Sequence, residues 1–193
     1  MNTRVIQIYC TAAALAALAA TVLTASPRAM AADSASAVER GKYLVNTSGC
    51  HDCHTPFKLG PNGPEPDMSR ALSGHPEALL MPPAPALPMP WGMTSSATNT
   101  AHAGPWGVSF TANLTPDGDT GLGQWTLKDF VSTIRTGRHM GRGRPVLPPM
   151  PIPVYNHFTD ADLAAMYAYL RTVPPIKNRV PEPLPPTQKT AGN

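Results

Sequence analysis

The stretch Cys50-His51-Asp52-Cys53-His54 decides how the rest of this sequence is interpreted. It sets two thiols three positions apart and places an imidazole directly after the second thiol. A disulfide across such a short gap gains little from loop closure and leaves His54 without a role. The cysteine pair therefore points to a bound group rather than to a structural cross-link.

Two other uses of a C-x-x-C pair fit this chain poorly. A structural zinc site normally needs four ligands, supplied by a second cysteine pair or by paired histidines. The chain has 3 cysteines, of which Cys10 lies near the N-terminus, and its histidines outside the stretch form no such pairs: His75, His102, His139 and His157. A thioredoxin-type redox pair follows a strand, and no stretch here alternates like one.

Covalent haem attachment gives a role to each of Cys50, Cys53 and His54. Two thiols at this spacing add across the two vinyl groups of a porphyrin, and the turn between them sets the next histidine under the iron. A neutral imidazole is a suitable axial ligand of haem iron. We therefore predict one covalent haem c, bound by Cys50 and Cys53, with His54 as the first iron ligand.

The N-terminus has the features of an export signal. Arg4 supplies the positive start, residues 5–24 form an apolar run, and Ala29-Met30-Ala31 offers small residues at a cleavage site. We predict a signal peptide at 1–31, cleavage near Ala31 and a periplasmic product. The alternative is an uncleaved anchor, because the run approaches spanning length, and only then would the protein associate with a membrane.

The charge balance does not point to a nucleic-acid partner. Residues 1–31 contain Arg4 and Arg28 and no acids, so without them the 15 basic residues fall to 13, against 12 acidic ones. A nucleic-acid-binding domain would carry a strong basic excess. We predict that the protein binds no nucleic acid.

Start and stop signals predict two amphipathic helices in the second half of the chain. One begins at Thr126 and ends at Gly137, and the other begins at Thr159 and ends before Pro174. Both repeat apolar residues at helical spacing, with Leu127, Phe130, Val131 and Ile134 in one and Leu163, Met166, Tyr167 and Leu170 in the other.

Long irregular segments follow an earlier helix. That helix is expected from Ser36, where Glu39 completes a capping box, to about residue 46. The chain has 24 prolines, concentrated in an insert at about 60–108 and in a loose tail at 177–193. Because proline fixes φ and lacks an N–H donor, both segments are expected to be irregular.

These elements set the fold class. No stretch alternates well enough to predict a strand, so the expected fold is all-α, with helices and long proline-rich loops wrapped around the haem. Aromatic residues make up 6% of the chain, so its side chains alone would form a small core, and the haem would fill the centre of the domain. We place the haem domain at residues 32–176.

The second iron ligand is a separate question. Met150 is flanked by Pro149 and Pro151, which lower the entropy lost when a flexible side chain is fixed on iron. A thioether opposite histidine favours ferrous iron and raises the potential. The alternatives are a methionine that only fills core space, Met140 as the ligand, a second histidine, or an open iron position.

These motifs resemble those of a known family. Their order, from a helix and C-x-x-C-H to a methionine loop and a final helix, is similar to a class I cytochrome c domain. Stretches 112–117 (ANLTPD), 120–125 (TGLGQW) and 147–151 (LPPMP) resemble cytochrome c subunits of bacterial periplasmic alcohol and aldehyde dehydrogenases. The resemblance covers about residues 37–60 and 108–176 and leaves out most of the insert.

The resemblance implies particular contacts. It implies that Trp125 and Asn113 hydrogen-bond a haem propionate. It also implies a close crossing of the first and last helices, joining Gly41, Tyr43 and Val45 to Tyr167 or Leu170. Separately, a backbone carbonyl at Pro61 or Pro64 is expected to orient the ring of His54, as partners of metal-bound histidines do.

The expected function follows from the coordination of the iron. Iron with two protein ligands has no vacant position for substrate, which predicts an electron carrier rather than an enzyme. As the resemblance implies, it would carry one electron at a time between a dehydrogenase-type donor and a respiratory acceptor. The alternatives are a haem enzyme or gas sensor with open iron, whose pocket the insert shapes, and a subunit whose haem is structural.

Overall fold

The computed structural model describes residues 27–186. The chain divides into two units, Met1–Ala35 and Ser36–Asn193, and the fold described below belongs to the second. Most of the predicted export signal lies outside the described residues, so its cleavage and the alternative of an anchor stay predictions. Within 27–186, no helix combines the length and the apolar character needed to cross a membrane.

Helices provide most of the regular structure of the described residues, so the expected helical class is confirmed. Single 3-10 turns lie at Met68–Arg70 and His139–Gly141. The α-helices are α1 (Pro27–Thr47), α2 (Cys50–His54), α3 (Leu127–Thr136), α4 (Ile152–Tyr155) and α5 (Asp160–Leu170).

The predicted ends of α3 are confirmed. The Thr126 hydroxyl accepts from the Asp129 N–H at 3.1 Å, and the Asp129 carboxylate accepts from the Thr126 N–H at 3.1 Å, which completes a capping box. Gly137 closes the helix with a φ of 63°. Each end is therefore fixed by the residue that the sequence singles out.

The predicted start and end of α5 are also confirmed, whereas the start of α1 differs. Thr159 caps α5 by accepting from the Asp162 N–H at 3.0 Å, and the helix ends at Leu170, before Pro174. Helix α1 begins at Pro27, so Ser36 lies inside it and its role as N-cap is wrong. Alanine, the strongest helix former, is frequent just before Ser36 and lets the helix extend.

Helices α1 and α5 cross in close contact, as the family resemblance implies. A Cβ on Gly41 would lie 1.9 Å from the Ala165 carbonyl oxygen and 2.9 Å from the Tyr169 Cβ. The residues facing Gly41 are thus Ala165 and Tyr169, rather than Tyr167 or Leu170. Tyr43 is 59% exposed, so its expected place in the crossing is wrong.

The main apolar core contains residues of both crossing helices and of α3. Val45 of α1 and Leu163 and Leu170 of α5 are buried there, together with Phe130 and Ile134 of α3. The residues of α3 and α5 share the helical spacing noted in the sequence, which places them on the inner faces of their helices.

Short strands in and beside the insert are present, although the sequence predicted none. Strands β1 (Phe57–Gly60) and β2 (Gly63–Pro66) form an antiparallel hairpin, and β3 (Thr94–Ser95), β4 (Ala101–Gly104) and β5 (Gly107–Phe110) form a second antiparallel sheet in that order. None exceeds four residues, which is too short for a period of two to stand out. The insert is therefore partly β-structure.

The two faces of the β3–β5 sheet differ in character. Ala101, Ala103 and Val108 are buried against Met81 and Ala84 of the proline-rich stretch. In the ladder, His102 lies opposite Ser109 of β5 and opposite Ser95 of β3. Since successive residues of a strand point to opposite faces, these three polar residues form the second face of the sheet.

The segment expected as a loose tail is not loose in its described part. The Asn178 side chain is 2% exposed and donates to the carbonyl oxygens of Ser73 and His75 at 2.7 and 2.8 Å. Further along, the Leu184 N–H donates to the Val108 carbonyl at 2.9 Å, and Leu184 accepts from Val108 in return. Residues 187–193 lie outside the described residues.

The helix crossing predicts a large effect of one methyl group. Gly41→Ala must push α1 and α5 apart, because its Cβ meets backbone atoms that cannot rotate away. We expect a loss of about 1–3 kcal/mol in the free energy of unfolding, measured by denaturant titration. Gly92→Ala, where a Cβ meets nothing within 4 Å, should stay within about 0.5 kcal/mol; equal values for both variants would contradict the crossing.

Candidate haem-attachment site

The two cysteines lie on one short helix that leaves α1 at a sharp turn. Gly49 adopts a φ of 75°, a conformation that favours glycine, and α2 begins at the next residue. Cys50 is buried and Cys53 is half-buried. Because residues three apart on a helix lie on the same side, both thiols face one way. Neither is in a disulfide.

His54 is held with one ring nitrogen available. Its side chain is buried, and Nδ1 lies 2.7 Å from the Ala112 carbonyl oxygen. A carbonyl only accepts, so the ring carries its proton on Nδ1 and its lone pair on Nε2. Burial lowers the pKa of His54 and favours the neutral ring. A neutral imidazole with a free Nε2 is what an iron ligand requires.

The carbonyl partner of His54 was predicted wrongly. Pro61 and Pro64 were the expected partners, but they belong to the β1–β2 hairpin, and the actual partner is Ala112, 58 positions along the chain from His54. That distance explains the error, because only the folded insert brings Ala112 back to α2. The sequence signal that was available is the 112–117 stretch itself, which begins with this carbonyl.

Backbone contacts fix the chain on both sides of this bond. The Gly74 N–H donates to the His54 carbonyl at 2.8 Å, and the His75 N–H donates to the Thr111 carbonyl at 3.0 Å. Gly74 has a φ of 76°, and a Cβ there would lie 2.4 Å from the Thr111 carbonyl oxygen. Glycine is therefore required at position 74, because a side chain there would keep Thr111, the residue after β5, away from α2.

Both thiols are neutral at neutral pH. Burial raises the pKa of Cys50 to about 11, although the neighbouring Tyr155 hydroxyl opposes that rise. Burial also raises the pKa of Cys53, and Asp52 adds to the effect. Protonated thiols are poor metal ligands. Moreover, within residues 27–186 no group of three or more His, Cys, Asp or Glu side chains is arranged to hold a metal ion.

The Met150 loop is attached to the second sheet. The Ser109 hydroxyl donates to the Pro148 carbonyl at 2.6 Å, and the Ile152 N–H donates to the Met150 carbonyl at 2.9 Å. Met150 is half-buried and packs against the main core, which includes Cys50. The loop thus brings Met150 to the apolar cluster that contains the first cysteine.

The other methionines of the loops are placed differently. Met89 is 88% exposed and Met93 is 42% exposed. Met140 lies in a 3-10 turn with a φ of 50° and is not among the residues packed on the main core. Position therefore favours Met150 as a ligand over these three, while its ligation of iron stays a prediction.

The two residues expected to bind a propionate differ in whether their side-chain N–H groups are already hydrogen-bonded. Asn113 is 4% exposed; its Nδ2 donates to the Ile176 carbonyl at 2.8 Å and to Thr120 Oγ1 at 3.3 Å. Its N–H groups are thus in use, and we assign Asn113 to holding its loop rather than to a propionate. Trp125 is half-buried on the main core, and its indole N–H has no hydrogen bond within residues 27–186.

The donor set fits a covalently bound haem. The structure combines two thiols on one side of a helix, an imidazole whose Nε2 is free, and a thioether on the same apolar core. Thiols attach the porphyrin, and imidazole and thioether are common axial ligands of its iron.

Comparison with known families agrees with this geometry. The profile of the family described as "Cytochrome c" matches residues 38–174. The chain belongs to the cytochrome c family. A cytochrome c domain holds its haem c covalently, and the C-x-x-C-H stretch of this chain fits that attachment. The family predicted from the motifs is confirmed.

Individual relatives are subunits of dehydrogenases. The chain is 32% identical over 154 residues to the gluconate 2-dehydrogenase cytochrome c subunit of Pantoea cypripedii, covering 79% of this chain and 27% of that protein. It is 30% identical over 148 residues to the cytochrome c subunit of the quinone alcohol dehydrogenase of Gluconobacter oxydans, covering 75% and 24%. The predicted resemblance to dehydrogenase cytochrome subunits is thus confirmed.

A further relative extends the pattern. The chain is 30% identical over 152 residues to the fructose dehydrogenase cytochrome subunit of Gluconobacter japonicus, covering 78% of this chain and 24% of that protein. This cytochrome c domain therefore spans about a quarter of the length of these relatives.

A hydrogen bond between α4 and the turn that precedes Cys50 yields a prediction. The Tyr155 hydroxyl donates to the Ser48 carbonyl beside Cys50, so Tyr155→Phe should lower the free energy of unfolding of the haem-loaded protein by about 1 kcal/mol. Thermal unfolding measures the loss. Tyr43→Phe, whose ring is 59% exposed, is the control and should have no effect. Unchanged stability of Tyr155→Phe would remove this contact from the stabilising interactions.

Proposed function

We propose that this protein is a periplasmic electron carrier with a single covalent haem c. The sequence contains the C-x-x-C-H motif once, at Cys50–His54. The cytochrome c match and the dehydrogenase subunits among its relatives support electron transfer. In this proposal the protein carries one electron at a time and is not itself an enzyme.

One observation carries the proposal: the bond between His54 Nδ1 and the Ala112 carbonyl. This bond leaves the lone pair of Nε2 available to bind iron and prevents rotation of the imidazole ring. Met150, on the same core, supplies the second ligand in this proposal. Two protein ligands leave no position for a substrate, which favours a carrier over the alternatives of an enzyme or gas sensor.

The protein's own residues set the conditions for electron transfer. When bound, haem c supplies an iron that alternates between the ferrous and ferric states. In this proposal Cys50 and Cys53 hold the group, and the ring of His54, which is 8% exposed, is itself shielded from water. An apolar surrounding and a thioether ligand both favour the ferrous state, which raises the potential.

The location and partners follow from the sequence and the relatives. The apolar run at 5–24 and Ala29-Met30-Ala31 support export and cleavage near Ala31. The relatives' names support a dehydrogenase as the electron donor, and the export signal supports a donor in the periplasm. We propose a respiratory protein as the acceptor.

The haem count can be measured directly. The exported wild-type protein should contain one haem per chain by pyridine haemochrome absorbance and by the mass of the intact protein. Cys50→Ala and Cys53→Ala should each lose one thioether bond, and the double variant should be exported without covalent haem. Cys10→Ala, within the predicted signal, is the control and should leave the mature protein unchanged. A colourless wild type from a host competent for haem attachment would overturn the proposal.

The second ligand can be tested by spectroscopy. Met150→Ala should abolish the thioether-to-ferric-iron absorption band and lower the midpoint potential, because the ferrous state loses its preferred ligand. Met89→Ala changes an 88% exposed side chain and should alter neither. Carbon monoxide should bind reduced Met150→Ala rapidly and the wild type slowly. Rapid binding to the wild type would instead favour an enzyme or sensor.

A further inference from the structure

Residues 80–91, which we call the proline ridge, have the burial pattern of a polyproline helix. Met81, Ala84 and Leu87 are half-buried, and the two residues that follow each of them are exposed, so burial repeats every three positions. A polyproline II helix has three residues per turn and no internal hydrogen bonds. Among the described residues 27–186, residues 80–87 make no hydrogen bond. Both features therefore agree with a polyproline conformation.

One edge of the proline ridge is anchored and two edges are free. Met81 and Ala84 pack against the buried apolar face of the β3–β5 sheet. Residues three apart in a polyproline helix lie on the same edge, so the other positions form two outward edges. These edges are Pro82, Pro85 and Pro88, and Pro83, Ala86 and Met89, and all six residues are exposed. The sheet thus holds the ridge by one edge and leaves its proline rings accessible.

The proline ridge lies in a part of the chain that carries no charge. Residues 78–116 contain no Asp, Glu, Lys or Arg, whereas these residues make up 14% of the whole chain. Toward the ends of the ridge, Leu80, Met89 and Trp91 are 84, 88 and 66% exposed. Contiguous exposed apolar surface marks interaction sites, and the cores of protein interfaces are depleted in charge and enriched in Trp and Met. The ridge therefore has the composition of a protein interface.

Two other occupants fit the proline ridge poorly. Membrane surfaces bind amphipathic helices and clusters of Lys and Arg, and the ridge has neither. A second copy of this chain would have to supply the aromatic side chains that line the grooves for polyproline helices. Among residues 27–186, the exposed Tyr, Trp and Phe side chains are Tyr43 on α1 and Trp91 of the ridge itself. Two side chains do not line a groove, so the occupant is a different protein.

The sheet that carries the proline ridge also holds the loop of the proposed second ligand. The ridge covers one face of the sheet. From the other face, Ser109 donates to the Pro148 carbonyl of the Met150 loop at 2.6 Å. Electron transfer slows steeply with distance, so a redox protein has to be held close to the haem. A protein on the ridge is separated from the Met150 loop by this one sheet.

We propose that the proline ridge docks into an aromatic-lined groove on the protein that delivers electrons to the haem. Aromatic rings pack on the proline rings of the outward edges, and the preformed helix loses little conformational entropy on binding. The inference rests on the proposed function as an electron carrier and names the chemistry by which the donor is recognised. One face of the insert's sheet then positions the Met150 loop, and the other presents the docking surface.

Photo-cross-linking in the native host tests the docking directly. Met89→p-benzoylphenylalanine places a light-activated ring on an outward edge, and Tyr43→p-benzoylphenylalanine, at an exposed residue of α1, is the control. Illumination of living cells should join position 89, but not position 43, to a protein that carries its own redox cofactor. Mass spectrometry should place the link in a peptide that contains Trp or Tyr.

The other outcomes of the cross-linking would overturn the inference. These are no product, a dimer of this chain, a lipid adduct, a protein without a redox cofactor, a link in a peptide without Trp or Tyr, or the same product from both positions.

A charge on the proline ridge should weaken docking without changing the haem. Ala86→Asp puts a carboxylate on an outward edge, so with the purified cross-linked partner the half-saturating concentration for haem reduction should rise about tenfold, because the groove would bury an unpaired charge. Reduction by ascorbate, the midpoint potential and the covalent haem content should stay as in the wild type. Ala161→Asp, at an exposed alanine of α5, is the matched control and should leave all four unchanged. An unaltered half-saturating concentration for Ala86→Asp would contradict docking through the ridge.

Failure of this inference is distinct from failure of the proposed function. If the wild type contains covalent haem and accepts electrons from ascorbate but fails the cross-linking test, only the docking role of the proline ridge is wrong. If the wild type contains no covalent haem, the proposed function itself fails, and haemochrome absorbance reports that before any variant is made.

Discussion

The hydrogen bond between His54 Nδ1 and the Ala112 carbonyl is the constraint on which the site depends. It selects the tautomer and the orientation of the ring in one contact, and it joins α2 to the segment that leaves β5. Because the residues are 58 positions apart, the ring is fixed only after the insert has folded. The attachment motif supplies the imidazole, and the segment that follows the insert supplies its orientation.

Strand β5 contributes to both sides of the haem site. Ser109 within the strand binds the Met150 loop through the Pro148 carbonyl, and Ala112 just beyond its end binds His54. The strand is itself paired on two sides, with β4 along one edge and with Leu184 at Val108 along the other. Paired edges resist fraying and association with other chains. A shift of this short strand would therefore disturb both proposed ligands together.

The sequence predicted the parts of the structure that local chemistry determines. The caps at Thr126 and Thr159 each depend on a side chain three residues away, and the attachment motif lies within five residues. It failed where distant residues decide the structure. The partner of His54 and the packing of Asn178 both depend on contacts across the fold. The strands of the insert were missed because glycine and proline hide so short an alternating pattern.

Covalent attachment suits a protein with so modest a core. Aromatic residues make up 6% of the chain, and the segments that carry His54 and Met150 meet through loops and a small sheet rather than through a large apolar interface. A haem that bound reversibly, without covalent bonds, would stabilise the fold in proportion to the logarithm of its free concentration. In the proposed attachment, thioether bonds from Cys50 and Cys53 remove that dependence, because the haem cannot dissociate on dilution.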